Sequence, residues 1–273
     1  MYQSTPHEPP PPGNYLAGWW ADLKTALALL SRLPITSPVG GALPRSVRAF
    51  PLVGLLIGLI GAVTFALASW LSLPGLLAAV IAVAATILAT GAMHEDGLAD
   101  VADGFGGGTD RDSKLAIMRD SRTGSYGALA LILSVLLRVL ALYAIAEPLI
   151  ALGDTDEAGA LVAGALIAAH AVSRAVLPVV MYRETLARDS GLAVAAGQPE
   201  QDSVLWSLGL GALIALLALG LGTGLIAFVV AGLAALAMTG LARRQIGGYT
   251  GDVLGAIQQL TEIAMLLAIV ALR

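Results

Sequence analysis

The chain has 273 residues, of which 57% are hydrophobic and only 12% are charged, and its net charge is −4. Soluble domains carry about 25% charged residues, so this composition and a mean hydropathy of +0.83 indicate a polytopic membrane protein. There is no basic stripe and no RNA-type aromatic motif, which argues against a nucleic-acid partner. The chain also lacks cysteine, which excludes disulfides and thiolate metal sites.

The N-terminal region has two parts. The first fourteen residues are polar and rich in proline, without the basic start and apolar run of a secretory signal. We expect residues 1–14 to form a disordered cytoplasmic tail and residues 15–273 to form a single integral-membrane domain. The segment from Tyr15 is apolar but carries Asp22, Lys24 and Arg32, which predicts an interfacial or re-entrant helix that stops before Pro34.

Seven later segments are apolar over nearly the whole length that a membrane-crossing helix needs, about 20 residues. They cover residues 49–71, 75–93, 125–146, 158–181, 204–220, 223–241 and 252–272. The pattern predicts an all-α fold, a polytopic membrane helical bundle with about seven transmembrane helices. Gly232 and Gly240 in the sixth segment would allow close packing against a second copy, so a homo-oligomer is compatible with the sequence.

The basic residues between these segments predict the orientation. The loops at 72–75, 147–157 and 220–224 contain no Lys or Arg, whereas every alternate loop is basic. The positive-inside rule therefore puts the N-terminus in the cytoplasm and the C-terminus outside. It also puts the acidic stretch after the second segment, the 182–203 loop and the 243–252 turn on one cytoplasmic face, where they can build one site.

The acidic stretch from Glu95 to Asp120 holds seven of the nineteen acidic residues of the chain. On a helix, Asp96, Asp100 and Asp103 would fall within about 60° of one another, and their charges would repel. A divalent cation relieves that repulsion, and hard oxygen ligands suit Mg²⁺ or Mn²⁺. We predict a metal site at these three residues; a solvated acidic helix face is the alternative. Glu95 projects about 100° away, where it could join the site or act as a base.

Candidate phosphate-binding groups follow the acidic residues. Gly106 and Gly107 lie in a glycine run whose backbone could bend around a ligand and offer amides to phosphate oxygens, although a flexible turn explains the run equally well. Arg119 and Arg122 could bind phosphate bidentately, or could simply be the basic residues of a cytoplasmic loop.

Polar residues also occur inside the predicted spans. A charge near the bilayer centre costs about 2.5–3.5 kcal/mol, so such residues generally face a polar interior. Arg174, one turn from His170, is a candidate contact for an anionic substrate, and His170 alone could instead be a satisfied interior histidine. Arg138 could pair with an acid, and Asp252 is either a site residue or a helix-start carboxylate. Metal-binding acids beside arginines are typical of enzymes that transfer a phosphorus-containing group.

Four segments resemble one known family, the cobalamin-5′-phosphate synthases, also called adenosylcobinamide-GDP ribazoletransferases. They are "SRLPI" at 31–35, "FPLVGLLIGLIGA" at 50–62, "HEDGLADVADGFGGGTDRDSKLAIMRDSRTGSYG" at 94–127 and "GGYTGDVLGA" at 247–256. The resemblance runs in order from about residue 20 to the C-terminus. It implies an integral-membrane enzyme of the prokaryotic cytoplasmic membrane, so that residues 15–273 would be its catalytic domain.

The activity that the resemblance implies is the joining of adenosylcobinamide-GDP to α-ribazole or its 5′-phosphate, with release of GMP in the presence of Mg²⁺. The acidic motif of the family falls on Glu95, Asp96, Asp100 and Asp103. In our hypothesis, Asp96, Asp100 and Asp103 bind one or two Mg²⁺ ions. In the same hypothesis, phosphates contact Arg119, Arg122 and Arg174, and either Glu95 or Asp120 deprotonates the attacking hydroxyl.

Two alternatives remain. The CDP-alcohol phosphotransferases share the Asp-x-x-Asp-Gly pattern of Asp100 to Gly104, but here Phe105-Gly106 replaces the Ala-Arg that continues their motif. A cation transporter would line its path with acids in the middle of several spans, and in this chain only Glu262 is predicted to lie that deep.

Overall fold

The computed structural model describes residues 15–35 and 43–273, so the predicted tail at 1–14 lies outside the described residues. The α-helices of this part of the chain are α1 Tyr15–Leu30, α2 Leu43–Ser46, α3 Phe50–Trp70, α4 Gly75–Thr90, α5 Met93–Gly107, α6 Arg111–Ile117, α7 Ser125–Ala151, α8 Thr155–Ala175, α9 Leu177–Arg183, α10 Leu192–Ala196, α11 Gln201–Leu219, α12 Leu221–Ile246 and α13 Gly251–Ala271. A 3₁₀ turn at Val47–Ala49 joins α2 to α3.

Six helical segments are long and apolar enough to cross a membrane. They are Leu43–Trp70, Ser125–Ala151, Thr155–Arg183, Gln201–Leu219, Leu221–Ile246 and Gly251–Ala271, and α4 with α5 makes a seventh if the bent pair is counted as one span. Over the described residues the chain forms no strand, only a single bridge between Leu186 and Tyr249. The predicted all-α membrane bundle with about seven transmembrane helices is therefore confirmed.

The second predicted span, 75–93, is not one straight helix. It ends at Thr90, and α5 starts at Met93 at 90° to α4. Gly91 and Ala92 both take left-handed backbone conformations, with φ of 66° and 58°, and an α-helix cannot continue through such residues. The break directs the acidic sequence away from the line of α4 and into the bundle.

Helix α5 packs closely on α13 because glycines face the neighbouring backbone in both helices. A Cβ at Gly97 would lie 2.7 Å from the carbonyl oxygen of Asp252, and one at Gly255 would lie 3.1 Å from that of His94. Larger residues at these positions would push the helices apart. The glycines thereby bring the first turn of α5 next to the start of α13.

A network of buried charges fastens the same part of α5 to α7, α8 and α13. Arg138 Nη1 donates to Glu95 Oε1 at 2.9 Å and lies 3.4 Å from Glu262 Oε1. On the other side of Glu262, His170 Nδ1 lies 3.1 Å from Oε2, and Arg174 Nη1 donates to the His170 carbonyl oxygen at 3.1 Å. Each of these five residues is at most 5% exposed. The opposite charges compensate one another inside an apolar bundle, where an isolated charge would be strongly unfavourable.

Helix α1 has the predicted start at Tyr15 and ends before Pro34. The buried Asp22 accepts a hydrogen bond from Arg45 at 3.2 Å and forms an ion pair with Arg48. The Arg48 guanidinium also lies 4.0 Å from the centre of the Trp19 ring, an arrangement typical of a cation–π contact. These contacts hold α1 against the entry to α3.

The three loops that were predicted to share a face do meet. Arg111, at the start of α6, donates to the carbonyl oxygens of Ile246 at 3.0 Å and Ala187 at 2.8 Å. The Ala187 amide donates to the Tyr249 carbonyl oxygen at 2.8 Å. The structure therefore brings the three loops together, and that they build one site stays a prediction.

Replacing Glu95 by leucine should lower the melting temperature of the detergent-solubilised protein strongly. Removing one partner of a buried ion pair costs about 3–5 kcal/mol because the other charge stays buried. The double variant Glu95→Leu/Arg138→Met should lose less than the sum of the two single variants. Arg122→Met, which removes an exposed ion pair, is the control and should not change the melting temperature measurably. Strictly additive losses at 95 and 138 would contradict the assigned pairing.

Single cysteines at Asp156 and Thr109 should react with an impermeant maleimide from opposite sides of sealed vesicles. Both positions are exposed in a chain that has no native cysteine; Thr109 lies just before α6, on the N-terminal side of α7, and Asp156 lies at the start of α8, just after α7. Asp156 is preferable to Gly153, whose φ of 81° disfavours any other residue. Labelling of both variants from one side would overturn the path of the chain across the membrane.

Candidate active site

Two of the three predicted metal ligands lie beside the start of α13. Asp100 of α5 is close enough to Asp96, Asp252 and Arg188 for their charges to act on it. Asp252 lies in the first turn of α13, where it accepts a hydrogen bond from Arg188 Nη1 at 3.0 Å. The sequence offered two alternatives for Asp252, a carboxylate at the start of a helix or a residue of the site. In the structure it lies at the start of α13 and also beside Asp96 and Asp100. The structure collects three carboxylates and one guanidinium there.

Asp103, the third predicted ligand, has a different environment. Its Oδ2 accepts from the Gly124 amide at 2.6 Å and its Oδ1 accepts from the Gly127 amide at 2.9 Å. These amides belong to the first turn of α7 and to the residue before it, so Asp103 caps that helix from outside. Any side chain at Gly124 or Gly127 would collide with the Asp103 carboxylate. Both oxygens of Asp103 are thus bonded to main-chain amides, although its charge still acts on Asp100.

The donor chemistry of Asp96, Asp100 and Asp252 fits a hard divalent cation. Carboxylate oxygens are preferred ligands of Mg²⁺ and Mn²⁺, and a cation would offset the mutual repulsion of the three acids. Within residues 15–35 and 43–273, no three Asp, Glu, His or Cys side chains are already arranged as a coordination group. A cation at this place would therefore require the carboxylate side chains to reorient.

Glu95 lies away from these acids, in the buried network with Arg138. Its Oε1 also accepts from Gln259 Nε2 at 3.2 Å, and the whole residue is 5% exposed. A carboxylate held in an ion pair and closed off from solvent is poorly placed to accept a proton from a substrate. The geometry gives Glu95 a role in positioning α5 and disagrees with its prediction as a base.

The structure puts His170 and Arg174 in the same network. Both are at least 97% buried, and their partners are Glu262 and main-chain oxygen. His170 is therefore an interior histidine with a satisfied partner, which was the alternative to substrate contact. Arg138 pairs with acids, as was also considered. Direct contact of His170 or Arg174 with a substrate would require the bundle to open, so the prediction of substrate contacts disagrees with this arrangement.

Asp120, the second predicted base, lies on the surface loop between α6 and α7. Arg122 donates to it from Nη2 at 2.6 Å and from Nε at 3.1 Å. These hydrogen bonds lower the pKa of Asp120 to about 2. A carboxylate with so low a pKa accepts a proton poorly near neutral pH, which disfavours Asp120 as a base. Arg119 and Arg122 are both exposed at the loop face.

Gly106 and Gly107 do not form the predicted backbone loop. They belong to the last turn of α5, which ends at Gly107, so their amides lie within the helical segment. Gly106 instead leaves room for a neighbour, since a Cβ there would lie 2.7 Å from the ring of Tyr126. The run of glycines permits close helix packing, and phosphate binding by Gly106 and Gly107 stays a prediction that their helical conformation disfavours.

A cavity of about 290 Å³ adjoins the acidic residues. Asp96, Arg188 and Asp252 line it together with His94, the residue just before Glu95. Neither Arg188 nor His94 was among the residues predicted for the site, although His94 begins the segment at 94–127 that carries the family resemblance. Their proximity arises from contacts between distant parts of the chain.

Comparison with known proteins identifies the family. The family model described as cobalamin-5-phosphate synthase matches residues 22–270. A protein of Bradyrhizobium diazoefficiens named adenosylcobinamide-GDP ribazoletransferase is 47% identical over 92% of this chain and 94% of its own length. Proteins with the same name from Azorhizobium caulinodans and Sinorhizobium medicae are 48% and 46% identical, each over 91% of this chain and 95% of their own length. No solved structure matches the chain. The chain belongs to the cobalamin-5-phosphate synthase family.

Proposed function

We propose that this protein joins adenosylcobinamide-GDP to α-ribazole, or to α-ribazole 5′-phosphate, and releases GMP. The observation that carries the proposal is the close relationship, over nine-tenths of the chain, to proteins named adenosylcobinamide-GDP ribazoletransferase. The site supports the proposal, because a cavity adjoins the group formed by Asp96, Asp100, Asp252 and Arg188. Transfer of a phosphorus-containing group from a diphosphate to an alcohol uses acids that hold a metal ion and a cationic side chain that binds phosphate oxygens. Family membership disfavours the CDP-alcohol phosphotransferase and transporter alternatives.

The proposed reaction exchanges one bond at phosphorus. The ribose 3′-oxygen forms a bond to the phosphorus atom that carries the corrinoid arm, and the bond from that phosphorus to the bridging oxygen of the diphosphate breaks. GMP leaves with the bridging oxygen, and the hydroxyl proton is released. The product is adenosylcobalamin or its 5′-phosphate, depending on which ribazole is used.

Asp96, Asp100 and Asp252 would hold Mg²⁺ in this scheme. Asp252 takes the place that the sequence pattern gave to Asp103, because both oxygens of Asp103 are bonded to main-chain amides. Bound Mg²⁺ would supply charge neutralisation at the diphosphate. The acids themselves keep the site polar at the edge of an apolar bundle and repel a diphosphate that arrives without a cation.

Arg188 is the residue best placed to bind a phosphate oxygen. Its side chain is 13% exposed, it is oriented by Asp252, and Nη2 donates to the Leu115 carbonyl oxygen at 3.3 Å. Because this guanidinium is already fixed, it loses little further conformational entropy when the ligand binds. More of its hydrogen-bond energy therefore contributes to binding. Arg119 and Arg122 lie further out on the loop surface, where they would attract the anionic substrate.

The proposed location is the prokaryotic cytoplasmic membrane, with the N-terminus and the active site facing the cytoplasm and the C-terminus outside. The basic loops support this orientation, and phosphorylated substrates are expected on that side. Apolar side chains are exposed along the spans, Leu133 and Leu236 among them, and would contact membrane lipid. A homo-oligomer formed through Gly232 and Gly240 stays a prediction.

Asp100→Asn should reduce GMP release by about a hundredfold or more, since a metal ligand in phosphoryl transfer supports several kcal/mol of transition-state stabilisation. The assay uses purified protein in detergent with both substrates present. Asp112→Asn is the matched control, because Asp112 is 90% exposed on neighbouring α6 and should retain activity. Both variants should keep the wild-type melting temperature. Near-normal turnover in a folded Asp100→Asn protein would remove this carboxylate from the mechanism.

Removal of divalent ions should stop the reaction reversibly. Protein treated with EDTA and dialysed should release no GMP, and added Mg²⁺ or Mn²⁺ should restore the rate, because both ions accept carboxylate and phosphate oxygens. Ca²⁺, which prefers longer bonds and more ligands, should restore less. Full activity after EDTA treatment would show that the reaction needs no exchangeable cation.

A further inference from the structure

The cavity beside the acidic residues has two chemically different sides. Its polar lining includes Asp96, Arg188 and Asp252, and these side chains lie near the loop face. Part of the apolar lining comes from α1, α3, α5 and α9, namely Leu29, Leu30, Phe50, Met93, Leu177 and Met181, and the rest comes mainly from α10 and the loop before it. Four of the first six are at most 5% exposed, whereas Leu186 and Leu192 are exposed, so the deep end of the cavity is the wall formed by α1, α3, α5 and α9. A ligand in this cavity would have an apolar end inside and a polar end outside.

One polar atom lies on the buried side without a partner. His94 is 3% exposed and lines the cavity, and its Nε2 has no hydrogen-bond partner in the described part of the chain. Buried polar atoms nearly always have partners, because an unpaired one has lost its bond to water without replacement. The imidazole therefore keeps one unused hydrogen-bonding atom beside the cavity, and because this atom is closed off in the structure, the ring would have to turn to meet a ligand.

Size and polarity restrict the ligand among the proposed reactants. A volume of about 290 Å³ is at the lower end of the range for small-molecule sites, roughly 300–1,000 Å³, and is far too small for a corrinoid ring. Guanine carries several donors and acceptors on its edge, and an apolar wall would leave them unpaired. The dimethylbenzimidazole base of ribazole is apolar and has a single free ring nitrogen, which accepts one hydrogen bond.

We propose that this cavity binds the ribazole substrate, with its benzimidazole base against the apolar wall and its free ring nitrogen accepting a hydrogen bond from His94 Nε2. The inference rests on the proposed function and adds to it the position of one substrate. The ribose then extends toward Asp96, Asp252 and Arg188, which brings its hydroxyl groups to the acidic residues. Adenosylcobinamide-GDP approaches from the loop face and stays outside the cavity.

Filling the cavity tests the assignment. Ala193 lines the cavity and is 7% exposed, so Ala193→Phe should place a ring in the ribazole site. The KM for α-ribazole should rise about tenfold or more, and the KM for adenosylcobinamide-GDP should change by less than about twofold. Ala195→Phe is the matched control: Ala195 is exposed on the same helix, does not line the cavity, and should leave both constants unchanged. A rise in the KM for adenosylcobinamide-GDP alone would assign the cavity to guanosine and overturn the proposal.

The hydrogen bond is tested by direct binding, without turnover. Calorimetric titration of the detergent-solubilised protein with α-ribazole should show affinity about tenfold weaker in His94→Leu, and His94→Gln, which keeps a donor, should recover part of the loss. The affinity for adenosylcobinamide-GDP should be unchanged in both variants. Equal binding of α-ribazole to the wild type and to a folded His94→Leu protein would overturn the contact.

These measurements separate failure of the inference from failure of the proposed function. A wild-type protein that binds α-ribazole but releases no GMP would contradict the proposed reaction while leaving the cavity assignment intact. A protein that releases GMP normally, but whose α-ribazole affinity is insensitive to Ala193→Phe, would retain the reaction and lose the cavity assignment.

Discussion

The architecture depends on the need to neutralise Arg138 inside the bundle. A guanidinium that is 2% exposed among apolar helices requires acids within reach, and Glu95 and Glu262 supply them from two other helices. Glu95 stands directly before Asp96, so its ion pair with Arg138 also holds the first turn of the acidic helix in place. The position of the candidate site therefore follows from charge compensation in an apolar medium.

Much of the fold could be predicted from the sequence because apolar length is a sufficient signal for a membrane span. Five of the seven predicted segments correspond to whole helical spans, and a sixth, 49–71, to most of Leu43–Trp70. The break after Thr90 could not be predicted, since the apolar run continues through Gly91 and Ala92 to Met93. The left-handed conformation of Ala92 has no reliable sequence signature.

The site could be predicted only in part, for a related reason. Helical periodicity grouped Asp96, Asp100 and Asp103, and the charges of Asp96 and Asp103 do act on Asp100. It could not show that Asp103 bonds the amides of Gly124 and Gly127, which lie more than twenty residues away. The pairing of Arg188 with Asp252 joins residues 64 positions apart. Periodicity describes one helix at a time, whereas these contacts arise where α5 and α13 meet the loop after α9. Gly106 and Gly107 show the same limit of sequence patterns. A glycine that makes room for a neighbouring helix and a glycine that allows a flexible loop cannot be told apart from the sequence.

Helix α5 is attached to α7 at both of its ends, by Glu95 to Arg138 and by Asp103 to the Gly124 and Gly127 amides. Between these two attachments, the stretch with Asp96 and Asp100 packs on α13 through Gly97. A shift of the helix that separated the two carboxylates would break one of these buried contacts. A cation bound there would therefore offset their repulsion without any rearrangement of the backbone, because the contacts that hold the two residues form when the chain folds.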